Sequence, residues 1–255
     1  MKTGKIITAA AGVFCLGLSC PNPVPGQHAV LSEIMDTQEA MVAIIAENIQ
    51  VGASVRGPVL DPRSGRVGII RNVQQASYRR AGAGMIIHPS GIIVTNAHTV
   101  NRANRITVQL HNKLEMPAEV IRLVHNLDMA FLRVHTPAPL TSVPLADSDQ
   151  TRLGDQVLTI GNSPLLKQTV SGGIIIGLGR NRTATRHGQT QNDLFQTTIN
   201  LYEGDSGGPL FNTDGGLIGL MTAKETGADH SSFAIPANQI LGHLIKYLKE
   251  TNAKK

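Results

Sequence analysis

The sequence predicts an all-β protein, a closed or doubled antiparallel barrel with a helix at each end, and three observations predict it. Short apolar runs recur from about Val51 to Ile235, punctuated by Gly, Asn, Asp and Pro, as expected of many strands joined by turns. Aromatic residues make up 3% of the 255 residues, Trp is absent and Gly occurs 26 times, so the core must rest on Ile, Val, Leu and Ala. With 41% apolar and 16% charged residues, the composition is that of an ordinary globular chain, long enough for one large domain or two small lobes.

The first element, residues 1–26, reads as an export leader. Lys2 and Lys5 precede an uncharged apolar run from Ile6 to Ser19, and the turn-forming Pro21-Asn-Pro-Val-Pro-Gly26 follows. The run is too short to span a bilayer as a lasting anchor. Two cleavage sites compete: a lipoprotein-type site that would leave a lipid anchor on Cys20, and a general signal-peptidase site near Gly26. Both cysteines, Cys15 and Cys20, lie in this leader, so the body can form no internal disulfide. That suits a bacterial periplasm or cell envelope better than a secreted animal protein.

Residues 27–50 form an N-terminal segment read as helical. Leu31, Ile34, Met35, Met41, Val42, Ile44, Ile45 and Ile49 recur at helical spacing over 31–49, with Ser32 or Asp36 as caps. The barrel region, 51–235, then offers strands at Gly84–Ile87, Ile92–Thr95, Ile106–Leu110, Met129–Val134, Val157–Ile160, Ile174–Ile176 and Leu217–Thr222. The polar segment Arg180–Asp193 is the one loop long enough to suggest mobility. Residues 236–255 close the chain with a second helix, Ile240, Leu241, Leu244, Ile245 and Leu248 on one face and Pro236 near its first turn.

Charge and histidine content exclude two classes of function. The formal charge of +5 falls to +3 once the two leader lysines are removed. The remaining basic residues, such as Arg79-Arg80, are dispersed without interleaved aromatics and read as solvated surface, so no nucleic-acid partner is expected. Of the 9 histidines, no pair has metal-ligand spacing in a supporting context, so no metal is expected.

Three segments carry chemistry. In Gly204-Asp-Ser-Gly-Gly-Pro-Leu210, Ser206 is a nucleophile candidate. The flanking glycines let the backbone aim the N–H groups of Gly204 and Ser206 into one small space, an oxyanion hole formed by residues 204–206 with Asp205 between them. A serine hydroxyl also needs a base. His98, directly after the strand Ile92–Thr95, supplies an imidazole that is neutral near pH 7 yet ready to accept a proton. The third is Asp128, at the mouth of the apolar strand Met129–Val134. A carboxylate there is costly to bury without a partner, and an imidazole N–H is one. Alone, Asp128 reads better as a turn or strand-cap residue. The ordered set decides: His98, then Asp128 thirty residues on, then Ser206 seventy-eight further.

Those segments, together with Gly82-Ala-Gly-Met-Ile-Ile-His-Pro-Ser-Gly91, Leu145–Asp155, Gln196-Thr197 and Ser232–Pro236, resemble the protease domain of the HtrA (Do-like) family within the trypsin-like superfamily. The similarity runs from about Gly82 to Ala237. It implies a chymotrypsin-like pair of six-stranded barrels with the triad in the cleft between them, and a serine endopeptidase acting on protein or peptide substrates without a cofactor. By position, Leu201 with Thr222, Ala223 and Lys224 would line the primary specificity pocket, and the apolar Leu201 favours small or medium aliphatic residues there. Trimers form in the family through N-terminal elements, which makes the segment 31–49 a candidate homo-oligomer contact, the alternative being that it packs on the body of its own chain.

Two departures limit the resemblance. The family carries Asn where this chain has Asp205, and a PDZ domain after the protease where this chain shows a short helix. They leave a second reading, a non-catalytic peptide- or protein-binding scaffold on a protease fold. An esterase is disfavoured because the order His98, Asp128, Ser206 is not that of the α/β-hydrolases.

Overall fold

A computed structural model describes residues 37–60, 67–161, 169–183, 190–202, 204–224 and 231–253. The leader, both cysteines and residues 31–36 of the expected helix lie outside them. Among the described residues, twelve strands close into two barrels. The first holds β1 (Met41–Leu60), β2 (Val67–His88), β3 (Ile92–Asn96), β4 (Arg105–Gln109), β5 (Glu115–Val124) and β6 (Met129–Val134). The second holds β7 (Gln156–Gly161), β8 (Thr169–Thr183), β9 (Thr190–Thr197), β10 (Pro209–Phe211), β11 (Leu217–Lys224) and β12 (Ser232–Pro236). In the first, neighbours run β1-β2-β3-β6-β5-β4, and in the second β7-β8-β9-β12-β11-β10. The two barrels share one strand order without any repeat in sequence.

The expected helix over 31–49 is corrected from Thr37 onward. Thr37–Ala40 is a single 3-10 turn, and Met41 begins β1, ten residues before the predicted start of the barrel region. The apolar run fits both periodicities, but Val42, Ile44 and Ala46 are buried while Ala43, Ile45 and Glu47 are half-buried, an alternation of period two. Partners on both sides decide it. Residues 43–47 pair with Gln109–Arg105 of β4, and the same strand pairs with β2 from Met41↔Met85 onward.

Arg180–Asp193 is corrected in the same way. Its first residues continue β8 and its last belong to β9, paired at Arg180↔Leu194, Arg182↔Gln191 and Thr183↔Thr190. Their polar side chains hid the strands because this hairpin lies mostly at the surface.

The core is continuous from one barrel into the other. Phe131, Met85, Ile93 and Leu132 of the first barrel join Phe211, Leu217, Leu220 and Ile235 of the second in one buried cluster. A smaller cluster of Val157, Ile175, Phe195, Ile199 and Met221 fills the rest of the second barrel. The last element, α2 (Ala237–Asn252), follows the one-turn α1 (Ala97–Val100) in chain order and straps the barrels together. Its Ile240 and Leu244 enter the shared cluster, Asn238 Nδ2 donates to Asp147 Oδ1 at 2.8 Å, and Glu250 accepts from Arg122 of β5 at 3.2 Å. Between the barrels, Val143 N–H donates to Ile86 O and Ala146 N–H to Leu217 O, both at 2.9 Å, so the connecting chain is sewn to each in turn.

Candidate active site

Strand β3 is buried along its whole length and ends at Asn96, opposite Met129 of β6. That pairing brings the two sequence candidates of the first barrel to one edge. α1 begins there, carrying His98, with Ala97 N–H donating to Asp128 O at 2.9 Å and Asn96 Nδ2 to the same oxygen at 3.1 Å. Asp128 adopts a left-handed conformation, φ 54° and ψ 41°, which Asp tolerates better than most side chains. The carboxylate thereby turns back over α1.

The result is a two-point clasp. His98 N–H donates to Asp128 Oδ1 at 2.8 Å, and His98 Nδ1 lies 2.6 Å from Asp128 Oδ2. An ionised carboxylate only accepts, so the Nδ1 proton is the one in this bond and Nε2 of the neutral ring is left as the basic nitrogen. A third bond comes from the other barrel, where the Thr222 hydroxyl donates to Asp128 Oδ2 at 2.9 Å. Thr222 is buried. Its hydroxyl supports the carboxylate.

The Ser206 loop is fastened to both barrels. Ala83 N–H of β2 donates to Ser206 O at 3.0 Å, Gly207 N–H to Met221 O at 2.8 Å, and Met221 N–H to Gly208 O at 2.9 Å. Gly207 has φ +86°, and a Cβ there would collide with Ala83 O. Only glycine allows that approach. Gly82 is equally confined, because a Cβ would meet Thr99 Cγ2 at 2.7 Å and Ser206 O at 3.4 Å. The loop carrying Ser206 and the helix carrying His98 thus meet on either side of this glycine.

Among the described residues, the N–H groups of Gly204 and Ser206 find no acceptor, whereas Asp205 N–H donates to Tyr202 O at 3.1 Å. The Asp205 amide, between those two donors, is spent on a turn. Its carboxyl group is buried beside Gly161, where a Cβ would come 2.5 Å from Oδ1, and it accepts from Tyr202 N–H at 3.1 Å. Burial pushes its pKa above the usual carboxylate range, and the Tyr202 amide opposes that in smaller measure.

Of the other pocket residues, Leu201 packs into the smaller cluster of the second barrel, Ala223 is half-buried and Lys224 exposed. Directly before Leu201, Asn200 keeps Oδ1 buried without a hydrogen-bond partner among the described residues.

Two residues near the site were missed in the sequence. Gln191 of β9 is 1% exposed, accepts from Arg182 at 3.4 Å and donates to Leu127 O at 3.3 Å, bracing the turn that presents Asp128. A Gln in a segment read as loop gave no signal. Arg80, read as solvated surface, is half-buried and donates through Nη1 to the His98 carbonyl, and its guanidinium lies 4.4 Å from the Tyr78 ring centroid.

Comparison with known proteins bears on the family and the fold. Residues 82–220 match the family model of the trypsin-like peptidase domain. A probable periplasmic serine protease, do/HhoA-like, of Haemophilus influenzae is 39% identical over 66% of this chain and 37% of its own length. The periplasmic pH-dependent serine endoprotease DegQ of Escherichia coli is 37% identical over 62% of this chain and 35% of its own. The magnetosome formation protease MamE of Paramagnetospirillum magneticum is 32% identical over 86% and 30%. The chain spans about a third of the length of these curated relatives. A solved HtrA-type protease, AlgW, bound to a decapeptide, superposes with a TM-score of 0.69 at 27% identity, covering 86% of this chain and 67% of that one.

Proposed function

This chain belongs to the trypsin-like peptidase domain family, and from that premise we propose that it is a serine endopeptidase with His98, Asp128 and Ser206 as its triad. The observation that carries the reading is the clasp of Asp128 on His98, 2.6 Å at Nδ1 and 2.8 Å at the backbone N–H, with the serine loop docked on β2 next to the helix that carries His98.

In this mechanism the Ser206 hydroxyl attacks the scissile carbonyl while His98 Nε2 takes its proton. Asp128 holds the ring and stabilises the imidazolium. The N–H groups of Gly204 and Ser206 receive the oxyanion, each such donor being worth about 3 kcal/mol. His98 then protonates the departing amine, and water releases the acyl group by the reverse steps. The substrates are peptide bonds of unfolded or envelope proteins, with a small or medium aliphatic residue on the acyl side of the bond.

The leader segment and the periplasmic relatives support an exported protein of the periplasm or cell envelope. A lipid on Cys20 and a homotrimer through residues before Met41 belong to the same reading. Mass spectrometry of the mature N-terminus tests the first, and sedimentation of protein with and without residues 27–40 tests the second.

A fluorophosphonate probe tests the activity itself. Labelling of the parent that disappears in Ser206→Ala and falls steeply in His98→Ala is the expected outcome. Folded protein that takes no label would instead favour the non-catalytic scaffold, a reading motivated by the buried Asp205 carboxyl directly beside the nucleophile.

A further inference from the structure

We infer that Lys224 makes this protease favour an acidic residue two or three positions before the bond it cuts. The inference rests on the peptidase reading and adds a second point of selection on the acyl half of the substrate. The geometry starts from the two edges of β11. One edge is paired with β12 to its end, at Ala223↔Phe233 and Lys224↔Ser232. The other is covered by β10 only as far as Leu220. Met221 is then bonded to Gly207 and Gly208 at 2.8 and 2.9 Å, and among the described residues no strand lies beside Thr222, Ala223 and Lys224 on that side.

An open strand edge that begins level with the nucleophile loop is a place where an extended chain can add itself as a further strand. The acyl carbon is held at Ser206, directly before Gly207, so the residues preceding the bond run along this edge away from Met221. Lys224 is three residues past Met221, about 10 Å at the rise of a strand. A substrate strand rises at the same rate, which brings its second and third residues before the bond level with Lys224. The residue directly before the bond stops short of it, so the aliphatic choice there is left as it is.

Charge decides what is chosen further back. Lys224 is exposed and belongs to none of the three ion pairs among the described residues, His98–Asp128, Arg105–Glu47 and Arg122–Glu250. The carboxyl groups close to the nucleophile are engaged elsewhere, Asp128 with His98 and Thr222 and Asp205 with Tyr202 N–H. Arg182 adds a second positive charge at this end of the sheet. Its guanidinium lies 6.0 Å from the ring centroid of Phe233, the β12 partner of Ala223, and is hydrogen bonded to the neutral Gln191. An ammonium on a flexible stem can follow a Glu or Asp side chain at either position, while a Lys or Arg there meets repulsion.

The test digests a library of peptides from unfolded proteins with the full chain and reads the residues before every cut by mass spectrometry. At the second and third positions, Asp and Glu should exceed Lys and Arg by about twofold to fivefold relative to the undigested library, the size expected of an exposed charge pair. About 0.5 M salt should flatten that ratio. Lys224→Arg should keep the preference, Lys224→Gln should lose most of it and Lys224→Glu should reverse it.

The same ratio in parent and Lys224→Glu overturns the proposal. So does a charge preference confined to the residue directly before the cut, or a fall in Lys224→Gln that is uniform over all sites. Fluorophosphonate labelling of each preparation separates the two levels. A parent that takes no label or makes no cuts removes the peptidase reading and this role with it, whereas a labelled, cutting parent indifferent to charge removes only the role of Lys224.

Discussion

The two barrels share a strand order but hold their parts of the site in different ways. In the first, His98 and Asp128 sit at adjacent ends of paired strands, β3 and β6, and the bonds that join them are local to one edge of one sheet. In the second, Ser206 lies on a loop between β9 and β10 whose bonds go to β2 and β11, and Thr222 and Gln191 reach across to the Asp128 turn. The proposed base is thus built by one barrel and the proposed nucleophile is presented by the meeting of both. Local geometry suffices for a general base, while the oxyanion donors must be set relative to it from outside.

Substitutions break or sharpen that contrast. The largest expected effect is the loss of either half: Ser206→Ala or His98→Ala should lower kcat by about 10⁵- to 10⁶-fold, and the double variant little further, because the parts act as a unit. Peptide hydrolysis measures it, and thermal melting of Ser206→Ala close to the parent would show that the nucleophile is not a structural prop.

Asp128→Asn comes next, with a fall of about 10⁴-fold, since Asn can offer its N–H to His98 Nδ1 and favour the wrong tautomer. Gly207→Ala tests the docking between barrels. A Cβ that collides with Ala83 O must push the loop away, so a loss of roughly a few hundred-fold in kcat is expected, with a lowered melting temperature. A normal rate in this variant would mean that the loop can find its position without β2.

Thr222→Val removes one of the reaches from the second barrel. It should cost about 1 kcal/mol, roughly fivefold to tenfold in kcat/KM, with Thr222→Ser restoring most of it. Neither variant should change preference for the acyl-side residue, which is the readout that distinguishes support of Asp128 from a place in the pocket.

The smallest effect is pH-dependent. Burial raises the Asp205 pKa in the folded protein, so the fold holds this proton more tightly than the unfolded chain does. Stability contributed by Asp205 is full below about pH 4, its unfolded range, and declines as pH rises through the raised value. Asp205→Asn lacks that decline. Denaturant titrations should therefore show the variant more stable than the parent near pH 7, with the gap closing as the solution is acidified.

How much of this could be read from the sequence followed from what each residue has to do locally. Met129–Val134 was placed to the residue because its apolar run is bounded by Asp128 and faces a buried strand. The spacing of His98, Asp128 and Ser206 and the glycines around Ser206 carried the candidate site. β5 was missed because most of its residues are exposed or half-buried, leaving little apolar pattern to see. β1 was misread because its apolar residues fit two periods and only the flanking strands choose between them. The bonds of Thr222, Gln191 and Arg80 could not be read for a related reason: each is made to a partner 94, 64 or 18 residues away, and nothing in its immediate neighbours records that.

Two closed sheets also set how the molecule fails under stress. Each sheet closes on its own hydrogen bonds, so the contacts between the two can loosen before either sheet opens, and the stitch between Ala83 and Ser206 is one of them. Heating should therefore silence the protein before it melts it, with turnover lost at a temperature where circular dichroism still reads as native and recovered on cooling.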